Sequence, residues 1–180
     1  MNRIDECRSF YYLGLDDCVD SDQWFEGYYR QLTDNGKNLP AEHIGVISNA
    51  GGTIDVIGVK SFVSSLLQHL VREPETLPVG IFCHHDLLAA EVLRTIKCHV
   101  FGKQERLRVP QDIKIVGFDD LPITEVVSPA ITTMAYLYTD IARLAFDVMT
   151  DYRNNVNHSP RQYEVRSSMV VRDSTCGGAR

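Results

Sequence analysis

The sequence predicts an α/β fold, with a mostly parallel sheet and helices on both of its faces. Two observations lead to this prediction. Short apolar segments typical of buried strands alternate along the chain with segments whose apolar residues recur at helical spacing, which is the pattern of successive βαβ units. The 180 residues are also 44% hydrophobic and 23% charged, the balance of an ordinary globular domain with one sizeable core.

Strands and helices are expected in strict alternation as far as residue 118. Each predicted helix has apolar residues along one face, and each connects two strands, as a right-handed crossover requires. The predicted strands are Ser9–Leu15, His43–Ser48, Val79–Cys83 and Ile113–Phe118, and the predicted helices are Asp20–Leu32, about Asp55–Val71 and about Asp86–Cys98.

The pattern changes after Pro129. Residues 131–138 form a short extended segment, and residues 162–175 are expected to form a final strand or hairpin. Between them lies a predicted amphipathic helix, Thr139–Tyr152, with Thr139 as its cap. Its apolar stripe consists of Ile141, Leu144, Ala145, Val148 and Met149.

Charge and composition exclude several classes of function. The net charge is −6 and no run of lysine or arginine occurs, which argues against nucleic-acid or membrane-surface binding by this stretch. No apolar run approaches the roughly 18 residues of a membrane span, and the first residues lack an apolar signal core, so a cytoplasmic location is expected. The five cysteines are odd in number and irregularly spaced, as free thiols would be.

Polar side chains follow three of the predicted strands. Asp16 and Asp17 follow the first, His84 and His85 the third, and Asp119 the fourth. In doubly wound sheets, ligands bind beyond the carboxyl ends of the strands. No nucleophile beside a base and no phosphate-cradling loop is found, so we expect neither an enzyme nor a cofactor. Adjacent His84 and His85, with Cys98 far along a helix, lack the spacing of a metal site.

Several motifs, in order, resemble the C-terminal half of LacI/GalR-type transcriptional regulators. They are PVGIFCHHDLLAAEVLR (78–94), RVPQDIKIVGFDDLPITEVVSPAITTM (108–134), IARLAFDVM (141–149) and MVVRDST (169–175). The resemblance implies the periplasmic-binding-protein-like (type I) fold, in which two lobes close on a small molecule, often a sugar. It also implies a helix-turn-helix head that contacts operator DNA, and neither the head nor most of the N-terminal lobe has a counterpart here.

The resemblance therefore predicts a fragment with three parts. Residues 1–130 would be the C-terminal effector-binding lobe, residues 131–156 a crossover segment and helix of the other lobe, and residues 157–180 the return strand and tail. The expected partners are a small-molecule effector (a sugar or a related compound) and a second copy in a homodimer. Operator DNA would be bound only through the head, and no membrane partner is expected.

The resemblance also suggests roles for individual residues. Asp119 would accept hydrogen bonds from effector hydroxyls. Asp16, by its place after the first predicted strand, is also expected to bind the effector. Asp86 would cap the following helix, while His85 stands where the family usually has an effector-binding asparagine. Trp24 stands where many sugar-responsive members have arginine, and its indole could stack on a sugar ring or a base, or fill the core. These two departures leave the effector class open.

Two further expectations concern association and rival functions. A dimer face is predicted on the second and third helices, at Val59, Leu66 and Leu88. The stripe of the Thr139–Tyr152 helix would be buried by self-association, by swapping or by folding back. The alternatives are a free-standing transport-type sugar-binding protein, which should carry an export signal, and a doubly wound enzyme, which needs a nucleophile or a cofactor loop.

Overall fold

The computed structural model describes residues 6–16, 19–99, 107–154 and 162–176. They form one six-stranded sheet with the order β2-β1-β3-β4-β5-β6. The first five strands run parallel and β6 runs antiparallel to β5. The strands are β1 (Ser9–Leu15), β2 (Ile44–Ile47), β3 (Val79–Cys83), β4 (Ile113–Phe118), β5 (Thr132–Ala135) and β6 (Ser168–Val170). The predicted fold class is confirmed.

The helices connect these strands in the predicted order. They are α1 (Val19–Asp34), α2 (Val56–Arg72), α3 (Asp86–Cys98), α4 (Ile123–Val126) and α5 (Tyr138–Asn154), with short 3-10 turns at Ala41–His43, Ala50–Gly52 and Pro74–Thr76. The short α4 was not expected. The extended segment after residue 130 forms β5, and the predicted final strand or hairpin is the single strand β6.

The core has two layers because successive side chains of a strand point to opposite faces of the sheet. Tyr11, Leu13 and Leu15 of β1 pack on one face with the apolar stripes of α2 and α3. Phe10 and Tyr12 pack on the other face, with residues of α1. Helices thus cover both faces of β1. The carboxyl ends of the strands are the part of such a sheet where a ligand binds.

The predicted dimer face needs correction. Val59, Leu66 and Leu88 have 0%, 3% and 0% of their surface exposed, and all three belong to the main core cluster of this chain. Their side chains therefore have no surface to offer a second copy. An amphipathic stripe indicates which helix face is buried, but not whether the sheet or a partner covers it.

The sheet extends past residue 130, since β5 pairs with β4 and β6 pairs with β5. The segment after β6 is anchored to the same strands. The Ser174 hydroxyl donates to the Ile115 carbonyl at 2.6 Å and accepts from the Thr132 backbone N–H at 2.8 Å. The Arg172 guanidinium contacts carboxylates of Asp120 at 2.8 Å and Glu125 at 3.0 Å. These contacts tie the end of the chain to the loop after β4.

Helix α5 projects from this lobe with little cover. Tyr138, Phe146 and Met149 expose 61%, 65% and 64% of their surfaces, and Leu144 is half-buried. Of the predicted stripe, Ile141, Ala145 and Met149 are exposed in the single chain, and Leu144 and Val148 are half-buried. The exposed side chains of Tyr138 and Phe146 lie outside the stripe as it was predicted. Within the ranges given above, none of the helices combines the length and hydropathy that crossing a membrane would need.

Candidate functional site

Three aromatic rings meet at the carboxyl ends of β3 and β4. Trp24 of α1 stacks on Phe118, the last residue of β4, with ring centroids 4.2 Å apart and planes at 21°. Its other neighbour is His84, directly after β3, at 4.3 Å. Trp24 is half-buried, so part of the indole packs on these rings and part of it stays accessible at the strand ends.

The aromatic wall continues along the strand ends. Tyr136, the first residue after β5, meets Phe118 edge-on at 5.0 Å and 68°, and Tyr138 lies 5.7 Å beyond Tyr136. On the other side, His85 lies 5.6 Å from His84. Phe118 and Tyr136 were not predicted as site residues. The signal was present, because each aromatic residue sits at the end of a strand, where a doubly wound fold places its ligand.

Asp119 lies beside this aromatic wall, as predicted, at the carboxyl end of β4. Its φ of 110° and the φ of 58° at Asp120 are positive, a conformation that few non-glycine residues adopt. The Asp119 N–H donates to the Met134 carbonyl at 2.8 Å, which holds the turn against β5. Burial, reinforced by the nearby charge of Asp86, raises the pKa of Asp119 to about 6. The side chain is therefore an ionised acceptor at neutral pH that is poorly solvated.

Asp86 does not cap α3, contrary to the prediction. The residue at the N-cap is His85, whose Nδ1 accepts a hydrogen bond from the Leu88 N–H at 3.0 Å. Asp86 is fully buried and accepts from the Thr133 hydroxyl at 2.6 Å and the Leu121 N–H at 2.7 Å. It thereby joins α3, β5 and the turn after Asp119. Asp86 therefore holds these three elements together and does not cap the helix.

The capping hydrogen bond determines which nitrogen of the His85 ring can donate to a ligand. Because Nδ1 accepts from the Leu88 N–H, the hydrogen of the neutral ring resides on Nε2. Burial lowers the pKa of His85, so the ring is uncharged at neutral pH. A half-buried His85 thus provides one hydrogen-bond donor where an amide would provide a donor and an acceptor.

Asp16 lies at the end of β1, where it was predicted, and it joins two loops. Its carboxylate accepts from the Asn49 N–H at 2.7 Å, and its own N–H donates to the Ile47 carbonyl at 2.9 Å. One of its carboxylate oxygens is therefore already used to hold the loop after β2. Asp17 and Cys18 lie outside the described residues.

No metal ligand set is found in the part of the chain that the structure describes: no three histidine, cysteine or acidic side chains there could hold an ion. The described cysteines Cys7, Cys83, Cys98 and Cys176 are free thiols. The site contains an aromatic wall, the poorly solvated carboxylate of Asp119 and the neutral imidazole of His85. Such a site can bind a molecule that has an apolar ring face and several hydroxyl groups.

Residues 5–175 match the periplasmic binding protein-like domain family. The HTH-type transcriptional repressor PurR of Photobacterium profundum is 26% identical over 140 residues, which are 77% of this chain and 40% of that protein. A LacI-family transcriptional regulator of Sanguibacter keddieii superposes with a TM-score of 0.70 at 24% identity, covering 94% of this chain and 59% of the other.

A second solved structure contains a ligand. It is a LacI-family transcriptional regulator from Arthrobacter sp. FB24 in complex with lactose, and it superposes with a TM-score of 0.68 at 22% identity. The alignment covers 95% of this chain and 59% of that one. Among the curated relatives, the matched region spans 27% of a PurR repressor from Vibrio vulnificus and 40% of the Photobacterium protein, so the chain corresponds to well under half of their length.

Proposed function

Because this chain belongs to the periplasmic binding protein-like domain family, we propose that it is the effector-binding part of a LacI/GalR-type transcriptional regulator. The observation that carries the proposal is the half-buried indole of Trp24 next to the strand end that presents Asp119. An aromatic face attracts the apolar C–H face of a sugar ring, while a carboxylate accepts hydrogen bonds from its hydroxyl groups. The proposed effector is a sugar.

The charge of the cleft favours a neutral sugar over a sugar phosphate. Asp16 and Asp119 both lie at the strand ends, and a phosphate there would be repelled by like charge. Burial of that phosphate beside Asp119 would also be costly unless a cation paired with it. The lactose bound by the Arthrobacter regulator supports an unphosphorylated sugar as the first class to test.

The regulatory role would be a shift between two arrangements of the effector domain. A ligand can change such an equilibrium only by binding one arrangement more tightly than the other. We propose that the sugar held by Trp24 and Asp119 favours one arrangement and thereby alters operator binding by a helix-turn-helix head. The name of the PurR relative, an HTH-type repressor, supports this division of labour, and the net charge of −6 disfavours DNA contact by this part of the chain.

Substitution of Trp24 by alanine is expected to weaken sugar binding roughly tenfold or more. The change removes the aromatic face while leaving the carboxylate in place, and aromatic contacts of this kind contribute about 0.5–1.5 kcal/mol beyond the area they bury. The measurement is titration calorimetry or a thermal shift with lactose and cellobiose. Tyr29→Ala is the matched control, because Tyr29 lies on the same helix and is 47% exposed. Equal sugar binding by Trp24→Ala and the wild type would contradict the proposed site.

We propose further that the chain associates with itself through α5. The large apolar side chains along this helix are exposed, and burial of a contiguous apolar stripe favours a symmetric pair of helices. Phe146→Glu should shift the mass measured by light scattering from a dimer to a monomer. Ile57→Glu, which changes an apolar residue of α2 that is 78% exposed, should leave the dimer intact. A monomeric wild type would refute this association.

A further inference from the structure

The turn that follows β4 has a backbone conformation that other parts of the chain must support. Asp119 and Asp120 have φ values of 110° and 58°, and residues other than glycine keep positive φ angles only where surrounding contacts hold them there. Because Asp119 is the proposed acceptor for the effector, the contacts that hold this turn also determine where its carboxylate lies. They come from two segments that are distant from the turn in sequence.

The first of these segments is β5, the strand that leads into α5. The Met134 carbonyl accepts a hydrogen bond from the Asp119 N–H at 2.8 Å, and the Thr133 hydroxyl oxygen accepts one from the Asp120 N–H at 3.3 Å. Both bonds are made by backbone N–H groups of the turn. They therefore hold its main chain and leave the Asp120 side chain for another partner.

That partner is Arg172, which belongs to the second segment, the chain after β6. The Nη2 atom of Arg172 donates to the Asp120 carboxylate at 2.8 Å and to the Glu125 carboxylate at 3.0 Å. Its Nη1 atom donates to the Ile131 carbonyl at 3.2 Å. The Arg172 side chain is only 13% exposed, so water and salt screen the pair with Asp120 less than they screen an ordinary surface ion pair.

The backbone around Arg172 is itself fixed to the sheet. The Arg172 N–H donates to the Thr132 hydroxyl oxygen at 2.8 Å, and two residues later the Ser174 N–H donates to the Ala130 carbonyl at 2.8 Å. The guanidinium thus extends from a fixed point. A planar group with several donors at set angles restrains its acceptors more than a flexible ammonium group would.

We propose that Arg172 is a positioning residue for effector binding, because its ion pair with Asp120 holds the neighbouring Asp119 carboxylate beside the aromatic wall. The inference rests on the proposed function, in which Asp119 binds the sugar. Arg172 acts through Asp120 and does not contact the effector, since its guanidinium is already bound by two carboxylates and a carbonyl group.

Replacement of Arg172 by methionine separates positioning from a simple effect of charge. Loss of a nearby positive charge can only raise the pKa of a carboxyl group. The pKa of Asp119 is about 6 because the side chain is buried and lies near the charge of Asp86, so release of the turn into water would lower it. We expect carboxyl ¹³C NMR of the ligand-free Arg172→Met chain to give Asp119 a pKa below about 5.

The same variant should bind lactose roughly fivefold or more weakly than the wild type, because a displaced carboxylate loses part of a charge-assisted hydrogen bond. Calorimetric titration measures this loss. Arg172→Lys keeps the positive charge without the planar fork, and it should show both changes to a smaller extent. If Arg172→Met does not fold, the lysine variant provides the same test.

Lys114→Met is the matched control. Lys114 lies in the first half of β4, away from the turn, and its side chain is 12% exposed and pairs with Glu6 at 3.1 Å. Its replacement removes a similar ion pair and should lower the melting temperature. The pKa of Asp119 should stay at about 6, and lactose affinity should not change.

The proposal is overturned if the pKa of Asp119 stays the same or rises in the folded Arg172 variants, or if Lys114→Met lowers it as much. A lower pKa with unchanged lactose affinity would overturn the role in effector binding. If the wild type binds neither lactose nor cellobiose, the proposed function fails. The pKa measurement needs no ligand, so it still decides whether Arg172 positions Asp119.

Discussion

Substitution of Gly117 by alanine is expected to destabilise the chain by about 2–4 kcal/mol, a large effect for one methyl group. A Cβ at this position would lie 2.2 Å from Oδ1 of Asp86 and 3.2 Å from its Cα. The carboxylate cannot simply rotate away, because its hydrogen bonds to Thr133 and Leu121 hold it in place. Either these bonds break or the start of α3 moves.

Both responses would disturb the cleft. Loss of the two bonds leaves the Leu121 N–H and the Thr133 hydroxyl without an acceptor in a buried region, which costs about 1–3 kcal/mol for each unsatisfied group. Movement of α3 would displace His85, the cap residue that lines the cleft. We therefore expect Gly117→Ala to lower both the free energy of unfolding and the affinity for sugar.

Chemical denaturation followed by circular dichroism measures this effect, and the chain offers a matched control. Gly27 lies in α1 with no atom within 4 Å of a hypothetical Cβ, so Gly27→Ala should be neutral or stabilise the helix by up to about 1 kcal/mol. If both glycine variants unfold at the same denaturant concentration, the close packing of Gly117 on Asp86 does not limit stability.

The regular elements could be predicted because local signals agree with the tertiary structure. Residues 79–83 and 113–118 are apolar segments with clear flanking turns, and both form strands with the predicted bounds. The family resemblance, which rests on motifs spread over residues 78–175, is confirmed by the family match and by the regulators of similar structure. The antiparallel direction of β6 could not be read from its three residues, since strand direction depends on where the chain returns.

The detail of the candidate site was less predictable. Asp86 and His85 are adjacent and both can cap a helix. The choice between them depends on Thr133 and Leu121, which are distant in sequence and attract Asp86 into the core. Likewise, the stripe that includes Leu66 is apolar whether a sheet or a partner covers it. Both the cap of α3 and the burial of this stripe depend on contacts with residues far away in the sequence. The spacing of residues along the chain does not reveal such contacts.

Asp119→Asn is expected to raise the free energy of unfolding at neutral pH and to lower the affinity for sugar. The folded-state pKa of Asp119 is about 6, above its ordinary value of 3.8, so between those values the folded chain binds more protons than the unfolded chain. The contribution of Asp119 to the free energy of unfolding is therefore fully present below about pH 4 and is lost as the pH rises through about 6. Asparagine has nearly the same shape, carries no charge and tolerates a positive φ.

The gain should depend on pH. Near pH 7.5 the variant should be more stable by about 1 kcal/mol, a value reduced for the partial exposure of the side chain, and should melt about 2–4 °C higher. Near pH 4 the difference should vanish, because the wild-type side chain is then protonated in the folded state. Asp120→Asn is a control of opposite sign, since it weakens the 2.8 Å ion pair with Arg172 and should lower the melting temperature at neutral pH.

The same substitution should lower sugar affinity about tenfold to a hundredfold, because hydrogen bonds to a charged acceptor contribute about 1.5–3 kcal/mol. Melting curves at the two pH values and calorimetric titration with lactose test both halves of the expectation. A stability difference that is the same at both pH values would show that strain, rather than charge, is what asparagine relieves. Unchanged sugar affinity would show that Asp119 does not bind the sugar. If both effects are observed, the desolvated charge that costs stability in the free protein is the group that holds the ligand.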